Sequence, residues 1–419
     1  MTVAVIGLGY VGLPLAALIA GKGIPVYGID KDHTKLLALK NGRSYIPDVS
    51  NETVQTLIGK KIFTPLKPGG AIRKATHIIV TVPTPLSRND TPDLSALKSA
   101  TAYISRHLQK GQTVICESST FPGTLEEVVM PVLSRNGLQA GKDYYLGYSP
   151  ERIDPGNDQF PIDSIPKVVS GYTKACLEHV KMLYDKIFET TVAVSDPKVA
   201  ELCKLFENIQ RLVNISLVNE MDLICREMNI DFREALKAAA TKPFGFMPYW
   251  PGPGIGGHCI PVDPLYFQWK ARKIGKYSRL IHVASQINKS MPQHIVKLIE
   301  EKCGNRQPMQ PLPKIVLIGL AYKKDVNDIR ESAAIDIFKL LVNKGYEVDY
   351  HDPYISCVNI FSKKYVSKVL NKELISQADV VCILTDHSNI DWKLIANHAS
   401  SVVDTRGVLK DLETEVNAE

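Results

Sequence analysis

The sequence predicts an α/β chain: two Rossmann-like domains joined by a long central helix and a helical middle domain. Three observations predict it. Short β-branched runs alternate with helical patterns at both ends, a helical apolar period fills the centre, and a proline-bearing stretch after Gly304 sets off a second α/β series. Strands alternating with helices make a mostly parallel sheet covered by helices.

In order along the chain, Val3 to Ile6, Val26 to Ile29, Ile78 to Val82, Thr113 to Cys116 and Tyr145 to Tyr148 read as strands. From Asp196 the pattern changes. Val199, Leu202, Cys203, Phe206, Leu212, Val213, Leu217 and Val218 recur at roughly helical spacing, which predicts one long helix with Asp196 as N-cap and Pro197 in the first helical position. Asn305 to Pro313 carries three prolines and reads as an interdomain linker. Ile315 to Ile318, Glu347 to Tyr350, Val380 to Leu384 and Val402 to Val403 are the strands of the second series. The expected domains are therefore 1–195, 196–304 and 314–419.

A chain of 419 residues exceeds one ordinary core, and 45% hydrophobic with 22% charged residues describes a globular protein. The net charge of +6 is spread along the chain rather than gathered in one basic block. That argues against a nucleic-acid partner and suits small anionic ligands. Eight cysteines lack a C-x-x-C pair, so reduced thiols are expected rather than disulfides or a metal site. An apolar strand begins at Val3 without a basic leader, and the run near Val11 to Ala20 contains Pro14 and is too short to span a bilayer. A cytoplasmic protein with no membrane partner is the expectation.

Gly7-Leu8-Gly9-Tyr10-Val11-Gly12 follows the first strand and opens a helix, and Asp30 ends the second strand. The first glycine permits the tight turn, the second admits a pyrophosphate, and the third lets helix and strand pack. This is a dinucleotide site. Asp30 would accept the ribose hydroxyls and repel a 2′-phosphate, favouring NAD over NADP, while Lys31 and Lys35 add positive charge beside it. Val82-Pro83-Thr84, Glu117-Ser118-Ser119-Thr120 and Tyr148-Ser149-Pro150-Glu151 end later strands at the edge where such sheets bind ligands, although strand-end loops are commonly polar.

Pro251 to Pro264 surrounds Cys259 with four glycines in six residues, Gly252 to Gly257, and with prolines that stiffen its ends. A structural thiol rarely needs that setting. It reads as a loop presenting a nucleophile, with Asp263 able to orient the site if a helical turn starts near Ile260. Lys204 and Asn208 lie one helical turn apart, fit to stabilise an oxyanion. On pattern alone, a solvated face carrying Lys204, Glu207, Asn208 and Arg211 is the simpler reading. Gly319-Leu320-Ala321-Tyr322-Lys323-Lys324 lacks the second glycine and is a poor second NAD site, whereas Lys323 and Arg330 suit phosphates. Tyr266 and Lys270 share the spacing of short-chain dehydrogenases, here read as chance.

Together these residues resemble the UDP-glucose/GDP-mannose dehydrogenase family over nearly the whole chain. The resemblance rests on the N-terminal fingerprint, Val82-Pro83-Thr84-Pro85, Ser149-Pro150-Glu151, Lys204 with Asn208, the Cys259 loop and Lys323 to Arg330. It implies NAD as cofactor, a UDP-sugar substrate, two oxidations at C6 through a covalent adduct of Cys259, and a homodimer built on the long helix. It assigns Lys204 and Asn208 to the oxyanion, and Asp263, Thr120 and Glu151 to the water and proton network. Gly7, Gly9, Tyr10, Val11, Gly12, Asp30, Lys35, Pro83, Thr84, Thr120 and Arg330 would hold NAD. Glu151, Arg152, Lys204, Asn208, Arg211, Tyr249, Gly252, Gly254 and Lys323 would hold the sugar nucleotide.

Within the family, Ser149 to Asn157 is similar to the branch acting on UDP-N-acetylhexosamines, because Pro155 stands where UDP-glucose enzymes carry a second Glu. The run Phe244 to Trp250 is similar to the same branch, and Asn327 stands where the family often has Asp. UDP-N-acetylglucosamine is the first expectation, with UDP-glucose and UDP-N-acetylmannosamine as alternatives. Two rivals share parts of the pattern: a hydroxyacid or 6-phosphogluconate type dehydrogenase, and a non-enzymatic nucleotide-sugar sensor. Neither needs Lys204, Asn208, Cys259 and Asp263 together. His258, next to the thiol, reads as structural.

Overall fold

The computed structural model describes all residues except 88, 154–159, 258, 305–311 and 417–419. Most of the expected linker, residues 154–157 with Pro155, and His258 therefore lie outside the described residues. Contacts divide the chain into two compact units, one of Met1–Glu207 with Leu265–Tyr277 and one of Asn208–Pro264 with Ser278–Glu419.

In the first unit, eight described strands form one sheet. They are β1 (Val3–Ile6), β2 (Val26–Ile29), β3 (Phe63–Leu66), β4 (His77–Val80), β5 (Thr113–Cys116), β6 (Tyr145–Tyr148), β7 (Lys167–Gly171) and β8 (Thr191–Ala193). Their order is β3-β2-β1-β4-β5-β6-β7-β8, and neighbours are parallel except β6 with β7. The first six strands follow the dinucleotide-binding order, which places the strand reversal between β1 and β4. β1, β4 and β5 are buried along their whole length, as strands covered on both faces must be. The strand expected over Ile78 to Val82 starts one residue earlier, at His77, and ends at Val80; Thr81, next in the chain, donates its hydroxyl to the Ile6 and Gly7 carbonyls at 3.1 and 2.7 Å.

β3, β7 and β8 were not expected from the pattern. β3 contains Pro65, which removes a ladder donor and is tolerated because the strand lies at the sheet edge. β7 begins with a buried lysine, an unusual start for an inner strand.

The second unit holds a smaller parallel sheet of β9 (Lys314–Ile318), β10 (Glu347–His351), β13 (Val380–Ile383) and β14 (Val402–Asp404), in the order β10-β9-β13-β14. An antiparallel ribbon, β11 (Cys357–Ile360) with β12 (Lys363–Val366), lies outside it. Asp352, after β10, occupies the place that Asp30 holds after β2. Its carboxylate accepts the Leu320, Ala321, Tyr354 and Ile355 N–H groups at 2.6 to 3.0 Å. The acid is engaged within the fold.

The long helix runs from Pro197 to Glu227, with the Asp196 carboxylate accepting the Lys198 N–H at 2.7 Å. It is amphipathic in an unexpected sense. Lys204 and Asn208 are buried, while Phe206 is 64% and Met228 61% exposed, and Val199, Leu202, Leu217, Met221 and Ile224 are exposed with them. The solvated polar face expected for Lys204 and Asn208 is thus overturned, and the exposed stripe is apolar.

Candidate active site

In the first unit, Gly7 turns the chain after β1 with φ of +96°, and a Cβ there would meet the Thr81 carbonyl at 2.9 Å. A Cβ at Gly12 would lie 1.8 Å from the Gly7 carbonyl oxygen, so helix Gly12–Gly21 approaches the turn only without a side chain. Gly9 faces open space, with nothing within 4 Å of an added Cβ. Tyr10 and Val11 are half-buried, Val11 being the helix N-cap. The Asp30 carboxylate accepts the Leu8 N–H at 2.8 Å and the Asp32 N–H at 2.9 Å, and Lys35 Nζ stands 3.9 Å away. An open glycine at a helix N-terminus beside a fixed carboxylate fits a dinucleotide: pyrophosphate on the backbone N–H groups, ribose on Asp30.

After β4, Pro83 is exposed and Thr84 buried, its hydroxyl donating to the Ser119 carbonyl at 2.7 Å. Thr120 is buried, and its Oγ1 has no hydrogen-bond partner among the described residues. Such an atom marks a place for water or ligand, because burying a hydroxyl unmatched costs about 1–3 kcal/mol. Lys204 Nζ donates to Ser119 Oγ at 2.5 Å, so the long helix meets the loop that carries Thr120. One turn earlier, Glu201 accepts the Gly123 and Leu125 N–H groups at 2.5 and 2.9 Å. Burial pushes its carboxyl up to about 8, against those two donors.

Glu151, after β6, is buried but keeps 5% of its surface exposed. Lys167 Nζ donates to it at 2.8 Å and to Glu117 at 2.9 Å, while Tyr184 donates to Glu117. Burial would raise the Glu151 carboxyl, but the Lys167 charge holds it below its ordinary value. Glu117 goes the other way, pushed up to about 7 by burial. Arg152 pairs with Glu207 at 2.8 Å and donates to the Pro166 carbonyl at 2.9 Å.

In the second unit, Asn208 Nδ2 donates to Asp263 Oδ2 at 2.6 Å, and Arg211 donates to Asn208 Oδ1. Arginine only donates, so this chain fixes which way the amide faces. Asp263 is 1% exposed and Cys259 is a half-buried thiol. Asp263 N donates to the Cys259 carbonyl at 2.8 Å, so the expected turn near Ile260 is present and leads into the helix that begins at Asp263. The loop before the thiol is tied by Gly252 N to Asn219 Oδ1 at 2.9 Å, Ile255 N to Asn288 Oδ1 at 2.6 Å and Gly257 N to the Arg330 carbonyl at 2.9 Å. Gly257 has φ of +84°, and a Cβ there would meet the Tyr322 ring at 2.7 Å. This glycine serves packing against protein as well as backbone freedom. Gly254 is likewise left-handed, at +133°. Tyr249 donates to Gln210 at 2.8 Å, and Arg330 is held by Asp328 at 2.6 Å. Lys323 is half-buried in the same segment.

Expected site residues thus gather in two groups. Around β1, β2, β4, β5 and β6 lie the fingerprint, Asp30, Thr84, Thr120, Glu151 and Lys204; in the second unit Asn208, Arg211, Asp263 and Cys259 form another. Lys167, Glu201, Asn219 and Asn288 escaped the sequence reading, and Glu117 and Ser119 entered it only as part of a strand-end run. Tyr266 and Lys270 serve different partners, the Thr84 carbonyl at 2.7 Å and Glu127 at 2.5 Å, which suits a chance spacing. Among the described residues, no cluster of His, Cys, Asp or Glu is arranged to hold a metal, and no helix is long and apolar enough to cross a membrane.

The UDP-glucose/GDP-mannose dehydrogenase family matches with its NAD binding domain over residues 1–188, its central domain over 198–290 and its UDP binding domain over 316–411. The chain is 38% identical over 358 residues to a UDP-N-acetyl-D-glucosamine 6-dehydrogenase of Pseudomonas aeruginosa, covering 85% of this chain and 83% of that one. It is 31% identical to an NDP-N-acetyl-D-galactosaminuronic acid dehydrogenase of Ralstonia nicotianae, covering 97% and 96%. The solved UDP-D-ManNAc dehydrogenase of Pyrococcus horikoshii superposes with a TM-score of 0.88 at 29% identity, covering 97% and 96%. The chain belongs to the UDP-glucose/GDP-mannose dehydrogenase family, as an NAD-dependent UDP-sugar dehydrogenase.

Proposed function

We propose that this enzyme oxidises the C6 alcohol of a UDP-N-acetylhexosamine twice, to the uronic acid, with UDP-N-acetylglucosamine as its substrate. The observation that carries the reading is the half-buried Cys259 thiol, one hydrogen-bonded turn ahead of the buried Asp263–Asn208 pair. A single alcohol oxidation needs no thiol. NAD, when bound on the fingerprint and Asp30, supplies the acceptor for each hydride that leaves C6.

The first oxidation leaves an aldehyde. Cys259 adds its sulfur to the carbonyl carbon, forming a C–S bond that keeps the sugar in place as a thiohemiacetal. Lys204 and the second N–H of Asn208 hold the oxyanion, where donors strengthen as charge develops. Loss of the C6 hydrogen as hydride gives the thioester. Water then breaks the C–S bond, restoring the thiol and releasing the acid, with Asp263 orienting that water and Thr120 and Glu151 completing its hydrogen-bond network. Residues 1–195 would hold NAD, and 314–419, through Lys323, the nucleotide.

A homodimer is proposed on the long helix, whose exposed stripe from Val199 to Met228 is the kind of apolar face a partner covers. The gluco epimer is favoured by the likeness to the Pseudomonas aeruginosa enzyme; the Pyrococcus horikoshii structure supports UDP-N-acetylmannosamine as the second reading. NADH production from UDP-N-acetylglucosamine, UDP-N-acetylgalactosamine, UDP-N-acetylmannosamine and UDP-glucose tests the choice. Fastest turnover of UDP-N-acetylglucosamine is expected, and preference for UDP-glucose would overturn the hexosamine reading.

A further inference from the structure

Beneath Glu151 lies a buried cluster that the proposed chemistry does not use. Lys167 on β7 shares one ammonium between Glu117, which follows β5, and Glu151, which follows β6. The helix Lys174–Tyr184 adds Tyr184, donating to the other oxygen of Glu117. Glu151 accepts the Arg152 and Ile153 N–H groups on its far oxygen, at 2.7 and 2.9 Å. Lys167, Glu117 and Tyr184 are each at most 2% exposed. The Tyr184 and Phe188 rings stand 5.5 and 5.2 Å from the lysine nitrogen and shut water out on that side.

Two carboxylates and one ammonium leave one negative charge in an enclosed space. Like charges that share a site cannot both ionise cheaply, so one carboxyl keeps a proton. Its neighbours decide which. Glu151 has two backbone donors as well as the lysine, whereas Glu117 has the lysine and a phenol.

We propose that Lys167 and Glu117 are positioning residues for Glu151: the shared ammonium holds Glu151 ionised and in place, and Glu117 is the carboxyl that carries the pair's proton. The inference rests on the reading of Glu151 given above. Burial pushes Glu117 up to about 7, while Lys167 keeps Glu151 below its ordinary value. Among the described residues, Cys116 beside Glu117 and Tyr184 are further titratable groups facing the cluster, both pushed up by burial and thus neutral, and Glu201 acts on Cys116 from the long helix. When Glu117 ionises, it competes for the ammonium and Glu151 becomes the stronger base. The water step then gains rate as pH rises through neutrality.

The test uses the whole enzyme. Infrared titration of the cofactor-free enzyme carrying Glu201→Gln, which removes the other raised carboxyl, should show a protonated-carboxyl band growing as pH falls through about 7. Glu117→Gln, which keeps the side chain's shape, should lose that band and the matching inflection in kcat; Lys167→Arg should retain both. Lys167→Met should lower kcat roughly tenfold or more with NADH binding kept, and a kcat close to wild type in that variant overturns the role of Lys167. A band near 7 that persists when Glu117→Gln is added to Glu201→Gln, or an unchanged pH profile of kcat in Glu117→Gln, overturns the inference. Wild-type kcat in Glu151→Gln would instead overturn the role of Glu151 itself, so the two failures are distinguishable.

Discussion

Alanine at Gly9 and at Gly12 separates cofactor recognition from folding within one turn of chain. A Cβ at Gly12 would lie 1.8 Å from the Gly7 carbonyl oxygen and 2.5 Å from Thr81 Oγ1. The first of these is backbone, so the helix must move away from β1, and overpacking of this kind costs about 1–3 kcal/mol or more. Gly9 is different, because nothing lies within 4 Å of its added Cβ. The fold accepts that methyl, which takes the space a pyrophosphate needs. Hydrogen bonds to charged groups are worth about 1.5–3 kcal/mol each. Loss of one weakens NAD binding by roughly 10- to 100-fold. Thermal unfolding without cofactor and NADH titration by fluorescence read the two effects. Gly12→Ala should melt early, whereas Gly9→Ala should melt with the wild type and bind NADH poorly. Wild-type NADH affinity in Gly9→Ala would refute the reasoning.

Three further outcomes are expected. Lys204→Ala should lower kcat by about a hundredfold or more, with NADH binding kept; a kcat close to wild type would remove Lys204 from the oxyanion role. Asp30→Asn should narrow the preference for NAD over NADP in kcat/KM by roughly fivefold or more, since one charge pair at about 4 Å is worth about 1–4 kcal/mol; an unchanged ratio would clear Asp30 of that role. Glu201, raised from 4.5 to about 8, binds a proton in the folded state that the unfolded chain has lost. Its share of stability is therefore present at low pH and falls as pH rises from 4.5 to about 8. Urea unfolding across that window should show a shallower fall for Glu201→Gln, by at most about 1.4 kcal/mol per pH unit; equal slopes would contradict the assignment.

The parts of the fold legible in the sequence are those where a local pattern has a single physical meaning. Gly7, Gly9, Gly12 and Asp30 announce the turn, the helix start and the second strand together, and β1, β2, β5 and β6 match their expected bounds. β3 hid behind Pro65, which argues against an inner strand but not against an edge. Lys167 hid β7, because a lysine reads as solvated until two carboxylates from other strands are seen to meet it. The reading of Lys204 and Asn208 as a solvated face failed for the same reason. Helical spacing told that they share a face, and only tertiary packing told that the face is buried while Phe206 and Met228 are exposed. The Cys259 loop was legible as a presentation loop, yet its anchors Asn219 and Asn288 sit on distant helices with no spacing to betray them.

The covalent role of Cys259 is the central claim, and the NADH released per UDP-sugar consumed tests it most directly, measured for the wild type and for Cys259→Ser. Wild type should release two NADH and form the uronic acid. Cys259→Ser should bind NAD and the UDP-sugar yet sustain no turnover to the acid. Normal production of the uronic acid by Cys259→Ser would contradict the account.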